Sequence, residues 1–221
     1  MIDGPQMEHW RTVRAFLSGE RCAHFAEQIA VQRHRFVSVA RPFGLGPTYR
    51  TLRGEDIHRY LPEIVEFGAT NVQPVVEAFA GRALRSARNR GRAVRVQLFD
   101  DASHAFRWHF DTSSVAALLT LHNANATQTQ IVAPAWSRRA RPIYYPLYWA
   151  PGLFSLLPHT AVAAGAGDLL LMHGSRLLHR GVPTAAGGDR LLLVFAYEDP
   201  DRRPTPWRER FNKYLNTGYR E

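Results

Sequence analysis

From Arg92 to Tyr197 the chain is a succession of short runs of β-prone residues separated by turn residues, and this spacing constrains the fold more than any other feature. The runs fall at about 93–99, 105–110, 114–122, 130–133, 139–145, 159–163, 168–173, 177–182 and 190–197. Parallel strands need helix-length crossovers, which these gaps mostly cannot hold, so the spacing predicts an antiparallel sandwich or jelly roll. The first 91 residues read differently. Trp10, Val13, Phe16 and Leu17 repeat at helical spacing within Gln6 to Leu17, as do Cys22, Phe25, Ala26 and Ile29 within Glu20 to Val31, so two amphipathic helices are expected. A strand follows from Arg35 to Arg41, closed by the turn residues Gly44 to Pro47, and further helices run from Glu55 to Phe67 and from Val75 to Ala80. Trp207, Phe211 and Tyr214 are spaced as one face of a short terminal helix.

The expected fold class is therefore mainly β with flanking helices (α+β). Residues 1–221 form one domain: a helical N-terminal part with a strand over 1–91, a β core over 92–198 and a C-terminal tail over 199–221.

Composition excludes several classes. Cys22 is the only cysteine, so no internal disulfide forms, and the polar opening MIDGPQMEHWR carries no apolar signal core. No apolar run reaches the roughly 18 residues of a membrane span, and the expected location is the cytoplasm. The net charge of +9 and pI near 10.4 raise the question of nucleic acid. The cations, however, are arginines scattered along the whole chain, with Lys213 the sole lysine, and form no stripe. The densest run, Arg82 to Arg92, reads as a solvated linker or helix end, with a phosphate-binding patch as the alternative.

Chemistry concentrates in two places. In Arg107-Trp-His109-Phe-Asp111, alternation along a strand points His109 and Asp111 to one face, where an imidazole nitrogen and a carboxylate oxygen can share a metal ion. Far downstream, His179-Arg-Gly-Val-Pro183 can supply a third ligand. Two His and one carboxylate on one face of an octahedron leave three positions open, the arrangement of non-heme Fe(II) oxygenases. Arg190, eleven residues after His179, starts the next strand.

These motifs, with Gly167-Asp-Leu-Leu-Leu171 between them, resemble the Fe(II)/2-oxoglutarate-dependent oxygenase superfamily in order and spacing over about residues 92 to 198. The turn-and-strand pattern is similar to its prolyl-hydroxylase-like branch, although that branch often has a lysine where Arg190 stands and a glycine pair that Asn123 to Thr129 lacks. The resemblance implies a double-stranded β-helix core of the jelly-roll, cupin-like kind, buttressed by the N-terminal helices. It also implies Fe(II) held by His109, Asp111 and His179, with 2-oxoglutarate and O2 as cosubstrates. Arg190 corresponds to the residue that pairs with the distal carboxylate of 2-oxoglutarate, for which a planar guanidinium is apt. Halogenating relatives replace the carboxylate ligand with a small residue, so Asp111 argues for oxygen transfer. Relatives that dealkylate nucleic acid carry a second arginine six residues after the anchor, where this chain has Ala196.

Other residues are weaker candidates. Thr120 and His122 share a strand face, and either could touch 2-oxoglutarate. Arg95 and Gln97 alternate with the apolar Val94, Val96 and Leu98, so they line either the barrel cavity, where they could bind substrate, or a solvated edge. Arg107 shares the parity of His109 and could reach a substrate carboxylate; Trp108 either touches substrate or packs in the core. Tyr144 to Trp149 form an aromatic cluster that is either core cover or an active-site rim. The expected function is oxidation, by hydroxylation in the first instance, of a small polar substrate such as a free amino acid or a natural-product intermediate, with release of succinate and CO2. The alternatives are hydroxylation of a peptide or protein residue, or a basic nucleic-acid-binding protein with a non-catalytic metal site.

Overall fold

The computed structural model describes residues 9–39, 48–148, 150–183 and 188–201. Its strands are β1 (Trp10–Val13), β2 (Val37–Val39), β3 (Tyr49–Leu52), β4 (Arg85–Ser86), β5 (Val94–Phe99), β6 (Phe106–His109), β7 (Val115–Asn123), β8 (Gln128–Val132), β9 (His159–Ala163), β10 (Leu169–Met172), β11 (His179–Gly181) and β12 (Arg190–Glu198). They form two antiparallel sheets. The larger has the order β1-β10-β7-β12-β5-β3-β2, with β4 on the end of β12, and the smaller the order β6-β11-β8-β9. Together they make the jelly roll expected of the sequence, with helices α1 (Gly19–Val31), α2 (Gly54–Tyr60), α3 (Pro62–Phe67) and α4 (Gln73–Ala80) on the outer face of the larger sheet.

Alternation decides which side of that sheet each residue serves. On β12, Leu191, Leu193, Phe195 and Tyr197 join the core beneath the helices, whereas Arg190, Leu192 and Val194 face the space between the sheets. On β5, Val94, Val96 and Leu98 meet the helices, and Arg95, Gln97 and Phe99 face inward. Helix α1 supplies Cys22, Phe25 and Ile29 to the same outer core. Each such side chain, fully buried, is worth roughly 1.5–3 kcal/mol. The helix starts at Ser18, whose hydroxyl accepts from the Arg21 N–H (3.3 Å).

The chain departs from sequence expectation in four places. Trp10–Val13 is strand where a helix over Gln6 to Leu17 was expected, because it pairs along the edge of β10, Trp10 opposite Met172 and Val13 opposite Leu169. This edge is pinned by Asp168, which accepts from the Ala15 and Gly165 N–H groups (3.0 and 2.9 Å) and from Arg14 (2.6 Å). The adjacent Gly167 has φ +85°, and a Cβ there would stand 2.2 Å from the Leu17 carbonyl oxygen, so glycine is required at that turn. Tyr49–Leu52 is a strand the sequence did not announce. Pro62 splits the expected helix Glu55 to Phe67 into α2 and α3, and a π-helical turn at Gly68–Val72 joins α3 to α4. Finally, the expected strand 139–145 is instead α6 (Pro134–Ala140) followed by turns, with Pro134 in its first turn and Ser137 Oγ donating to the Val132 carbonyl (2.9 Å).

The arginine run is ordered structure. It contains β4 and the single-turn α5 (Arg90–Ala93), and Arg82 pairs with Asp199 at 3.0 Å. The expected terminal helix with Trp207, Phe211 and Tyr214 lies outside the described residues, as do most of the turn before β3 and the ends of the chain.

Candidate metal centre

His109 ends β6 and His179 opens β11, and the two strands pair so that these residues stand directly opposite each other. Their rings lie 4.1 Å apart between centroids. Asp111, just past β6, is held by its N–H donating to the Gly174 carbonyl (2.9 Å). Its two oxygens lie 3.3 Å from His109 Nε2 and 3.6 Å from His179 Nε2. Each imidazole is oriented from behind: His109 Nδ1 meets the Arg107 carbonyl at 2.9 Å and His179 Nδ1 the Leu177 carbonyl at 3.0 Å. A carbonyl oxygen only accepts, so both Nδ1 atoms carry a hydrogen, and both Nε2 atoms are turned toward the carboxylate. Three ligand atoms within 4.8 Å of one another, two imidazole nitrogens and a carboxylate oxygen, form a site that could hold a metal ion.

The electrostatics fit that charge. Burial, then the neighbouring His109, push His179 down to about 4, so its imidazole is neutral and able to ligate at neutral pH. Burial pushes the Asp111 carboxyl up, yet His179, His109 and Arg95 outweigh it and hold the group below the usual carboxylate range.

Gly174 is a residue that sequence reading missed. A Cβ at this position would stand 1.9 Å from Asp111 Oδ2 and 2.7 Å from its carboxyl carbon, so only glycine leaves the ligand its place. Gly174→Ala is expected to lower metal affinity about 10–100-fold, the effect of disturbing a ligand's support. Titration calorimetry with Co(II) measures this; unchanged affinity would show that Asp111 is free to relocate.

A cavity runs from the cluster between the sheets, walled by Phe99, Phe106, Leu118, Leu192 and Val194. Arg190 also lines it. The guanidinium is 2% exposed and pairs with no carboxylate among the described residues. Its Nη2 donates to Thr129 Oγ1 (3.1 Å), its Nη1 to the Gln128 carbonyl (3.3 Å), and its Nε meets no protein acceptor. Burial pulls its pKa down to about 10, still leaving it charged at neutral pH. Thr120 lies on the inward face of β7 opposite Leu192, and its buried hydroxyl has no protein partner. His122, by contrast, is half exposed and bonded to Asp189 at 2.7 Å. Thr129 was not picked out, though the alternation Gln128-Thr129-Gln130-Ile131 carries the signal.

Arg95 and Gln97 stand on the cavity wall, but Arg107 and Trp108 do not. Between the pairs His179↔His109 and Gly181↔Phe106, Arg107 and Trp108 together oppose Arg180, a β-bulge that breaks the parity on which Arg107 was placed beside His109. Phe106 takes the inward place. The Arg107 guanidinium instead lies over the Tyr148 ring, 3.6 Å from its centroid, and donates to the Tyr148 carbonyl. Trp108 is buried with Tyr144, Tyr148 and Phe154, its Nε1 donating to Ser155 Oγ (3.0 Å). The aromatic cluster is thus core cover for the outer face of the smaller sheet, and Arg107 and Trp108 are corrected from substrate contacts to its anchors. Arg107→Met is expected to destabilise the fold by about 1–3 kcal/mol, from a lost charged hydrogen bond, while leaving substrate KM unchanged. Denaturant unfolding and steady-state kinetics separate the two.

No protein-family model matches the sequence, and no curated protein matches it. Solved structures do. The chain has the fold of the non-heme iron, 2-oxoglutarate-dependent enzymes. It is similar to the α-ketoglutarate-dependent carbocyclase SnoK from nogalamycin biosynthesis (TM-score 0.70, 13% identity, 94% of this chain and 87% of that one). It is similar also to the epimerase SnoN of the same pathway (0.64, 18%, 87% and 79%). A third is HygX from Streptomyces hygroscopicus, solved with nickel and 2-oxoglutarate bound (0.64, 14%, 88% and 84%).

Proposed function

We propose that the chain is an Fe(II)- and 2-oxoglutarate-dependent oxygenase acting on a small polar molecule, such as a free amino acid or a natural-product intermediate. The observation that carries this reading is Arg190, a buried cation without a counter-ion among the described residues, in the cavity that holds the His-Asp-His cluster. Uncompensated buried charge is costly, and an anionic ligand is what offsets it here. The donor chemistry suits both metal and keto acid: the cluster offers two imidazole nitrogens and one carboxylate, and the cavity offers a guanidinium, Thr129 and the Thr120 hydroxyl, which has no partner among the described residues.

His109, Asp111 and His179 hold the iron, and Arg190 grips the distal carboxylate of 2-oxoglutarate with Thr120 and Thr129 beside it. Bound there, iron with 2-oxoglutarate and O2 would supply the oxidising power for removing a substrate hydrogen, with 2-oxoglutarate leaving as succinate and CO2. Arg95 and Gln97 orient the substrate, and the charge of Arg95 favours a group that is anionic or rich in acceptors. The apolar wall excludes water, which strengthens every charge interaction inside. SnoK is a carbocyclase and SnoN an epimerase; hydroxylation, epimerisation and ring closure all begin with hydrogen removal, so product analysis decides among them. No helix among the described residues is long and apolar enough to cross a membrane.

The test is succinate release from 2-oxoglutarate by the iron-loaded protein, screened against amino acids and metabolite extracts. Substrate-stimulated turnover supports the reading; an enzyme that chelates iron and 2-oxoglutarate but turns over only with a peptide would move it to a protein hydroxylase.

A further inference from the structure

The segment from α6 through the 3₁₀ turn Pro151–Leu156 covers the outer face of the smaller sheet, and its two sides differ. Ser137, Ala140, Tyr144 and Phe154 turn inward and are buried. Of the five most exposed large apolar side chains among the described residues, four lie on the other side: Trp136, Ile143, Leu153 and Leu156, the last 81% exposed. Single exposed apolar residues need no explanation, but these are neighbours. Trp136, Arg139 and Ile143 follow one face of continuing helical turns, in which the Arg141 N–H donates to the Ser137 carbonyl (3.1 Å) and the Leu147 N–H to the Ile143 carbonyl (2.9 Å). On the inner side Tyr144 meets Phe154 (5.8 Å between centroids), so the flanking Ile143 and Leu153 emerge close together outside. Nothing in the oxygenase reading uses this face.

Charge says what covers it. From Thr112 to Gly167 the chain contains no aspartate or glutamate, and its only permanent charges are Arg138, Arg139 and Arg141. Arg138 and Arg139 are exposed and pair with no carboxylate among the described residues, and the Arg139 guanidinium lies 4.9 Å from the centre of the Trp136 ring. A second copy of the chain, docked about a two-fold axis, would set these arginines against themselves with no carboxylate in the segment to offset them. The complement is a surface that is anionic and also takes up apolar side chains. Lipid head groups offer both, since guanidinium groups meet phosphates there while tryptophan and leucine reach the acyl boundary. An acidic protein offers the charge, but a side chain as exposed as Leu156 would need a matching pocket in it, whereas a lipid interface yields around the side chain.

We propose that this face docks on an anionic membrane surface, with Trp136, Ile143, Leu153 and Leu156 in the head-group layer and Arg138 and Arg139 on lipid phosphates. The docking is peripheral. It does not depend on the oxygenase assignment, and iron and 2-oxoglutarate need not be present for it to work.

The test is co-sedimentation of the full-length protein, at physiological salt, with vesicles of phosphatidylcholine alone and of equal parts phosphatidylcholine and phosphatidylglycerol. The protein should bind the mixed vesicles saturably and leave the neutral ones. Leu153→Ser/Leu156→Ser, a surface change that spares the fold, should weaken binding by about tenfold or more, and Arg138→Gln/Arg139→Gln by about 30-fold. Arg88→Gln/Arg90→Gln removes the same charge from exposed positions beside α5, which packs on α2 behind the larger sheet, and should change binding less than about threefold, because screening confines the effect of a surface charge to its neighbourhood. No binding to the mixed vesicles overturns the proposal, and retention on immobilised polyglutamate would then give the face to an acidic protein. Equal binding by the leucine double variant also overturns it, leaving only attraction by the net charge of the whole protein.

Discussion

Arg190→Met is expected to raise the KM for 2-oxoglutarate by roughly 30- to 1,000-fold, the consequence of losing about 2–4 kcal/mol of a buried, charge-assisted contact. The same substitution should leave the ligand-free protein as stable as before or more so. Methionine fills similar volume, and native Arg190 is 2% exposed without a carboxylate partner among the described residues. Replacing a buried charge by a well-packed apolar side chain is often neutral or stabilising by 1–4 kcal/mol. The two effects thus have opposite signs, which an ordinary folding defect cannot imitate. Differential scanning fluorimetry reads both: 2-oxoglutarate with metal should raise the Tm of the native protein but not of the variant, because stabilisation follows the logarithm of ligand occupancy. A variant that loses stability and keeps its KM would show that Arg190 supports the barrel and does not bind the keto acid.

His179→Ala is the second large effect. It removes one of three ligand atoms and the side chain facing His109 across the β6–β11 pair. Divalent metal affinity should fall by more than about 100-fold, beyond the 10–100-fold typical of losing a support residue. Turnover should vanish with it. Anaerobic Fe(II) with 2-oxoglutarate should give the weak visible charge-transfer band of a chelated keto acid in the native protein and none in the variant. A persisting band in His179→Ala would remove His179 from the ligand set. The fold should survive, since the ring's own hydrogen bond, to the Leu177 carbonyl, is a single contact within a strand held by β6 and β8.

Much of this site was legible from residue alternation. A strand puts every second residue on one face, and β5 and β12 are regular, so the inward placement of Arg95, Gln97 and Arg190 follows from reading alternate residues against their apolar neighbours. Alternation also brought His109 and Asp111 together. It failed at Arg107 because a bulge inserts a residue and shifts the parity behind it, and a bulge is specified by the register with β11, seventy residues away. Gly174 was illegible for a related reason. Its role is to leave a space, and the space is defined only by the Asp111 carboxylate that comes from another strand. The segment Trp10–Val13 has helical spacing and strand partners, and the partners prevailed because an edge of β10 was available to pair.

The sequence by itself determined the β character of the core from Val94 onward, the outer helices from Gly19 to Ala80 and the identity of the candidate metal ligands and of the buried arginine, since each rests on local periodicity or on side-chain chemistry. Tertiary structure alone decided that, among the described residues, Arg190 is buried without a counter-ion and Thr120 and His173 keep unpartnered polar atoms, and that Arg107 and Trp108 turn away from the His-Asp-His cluster. Burial and hydrogen-bond satisfaction are properties of how distant segments meet, so no local pattern encodes them.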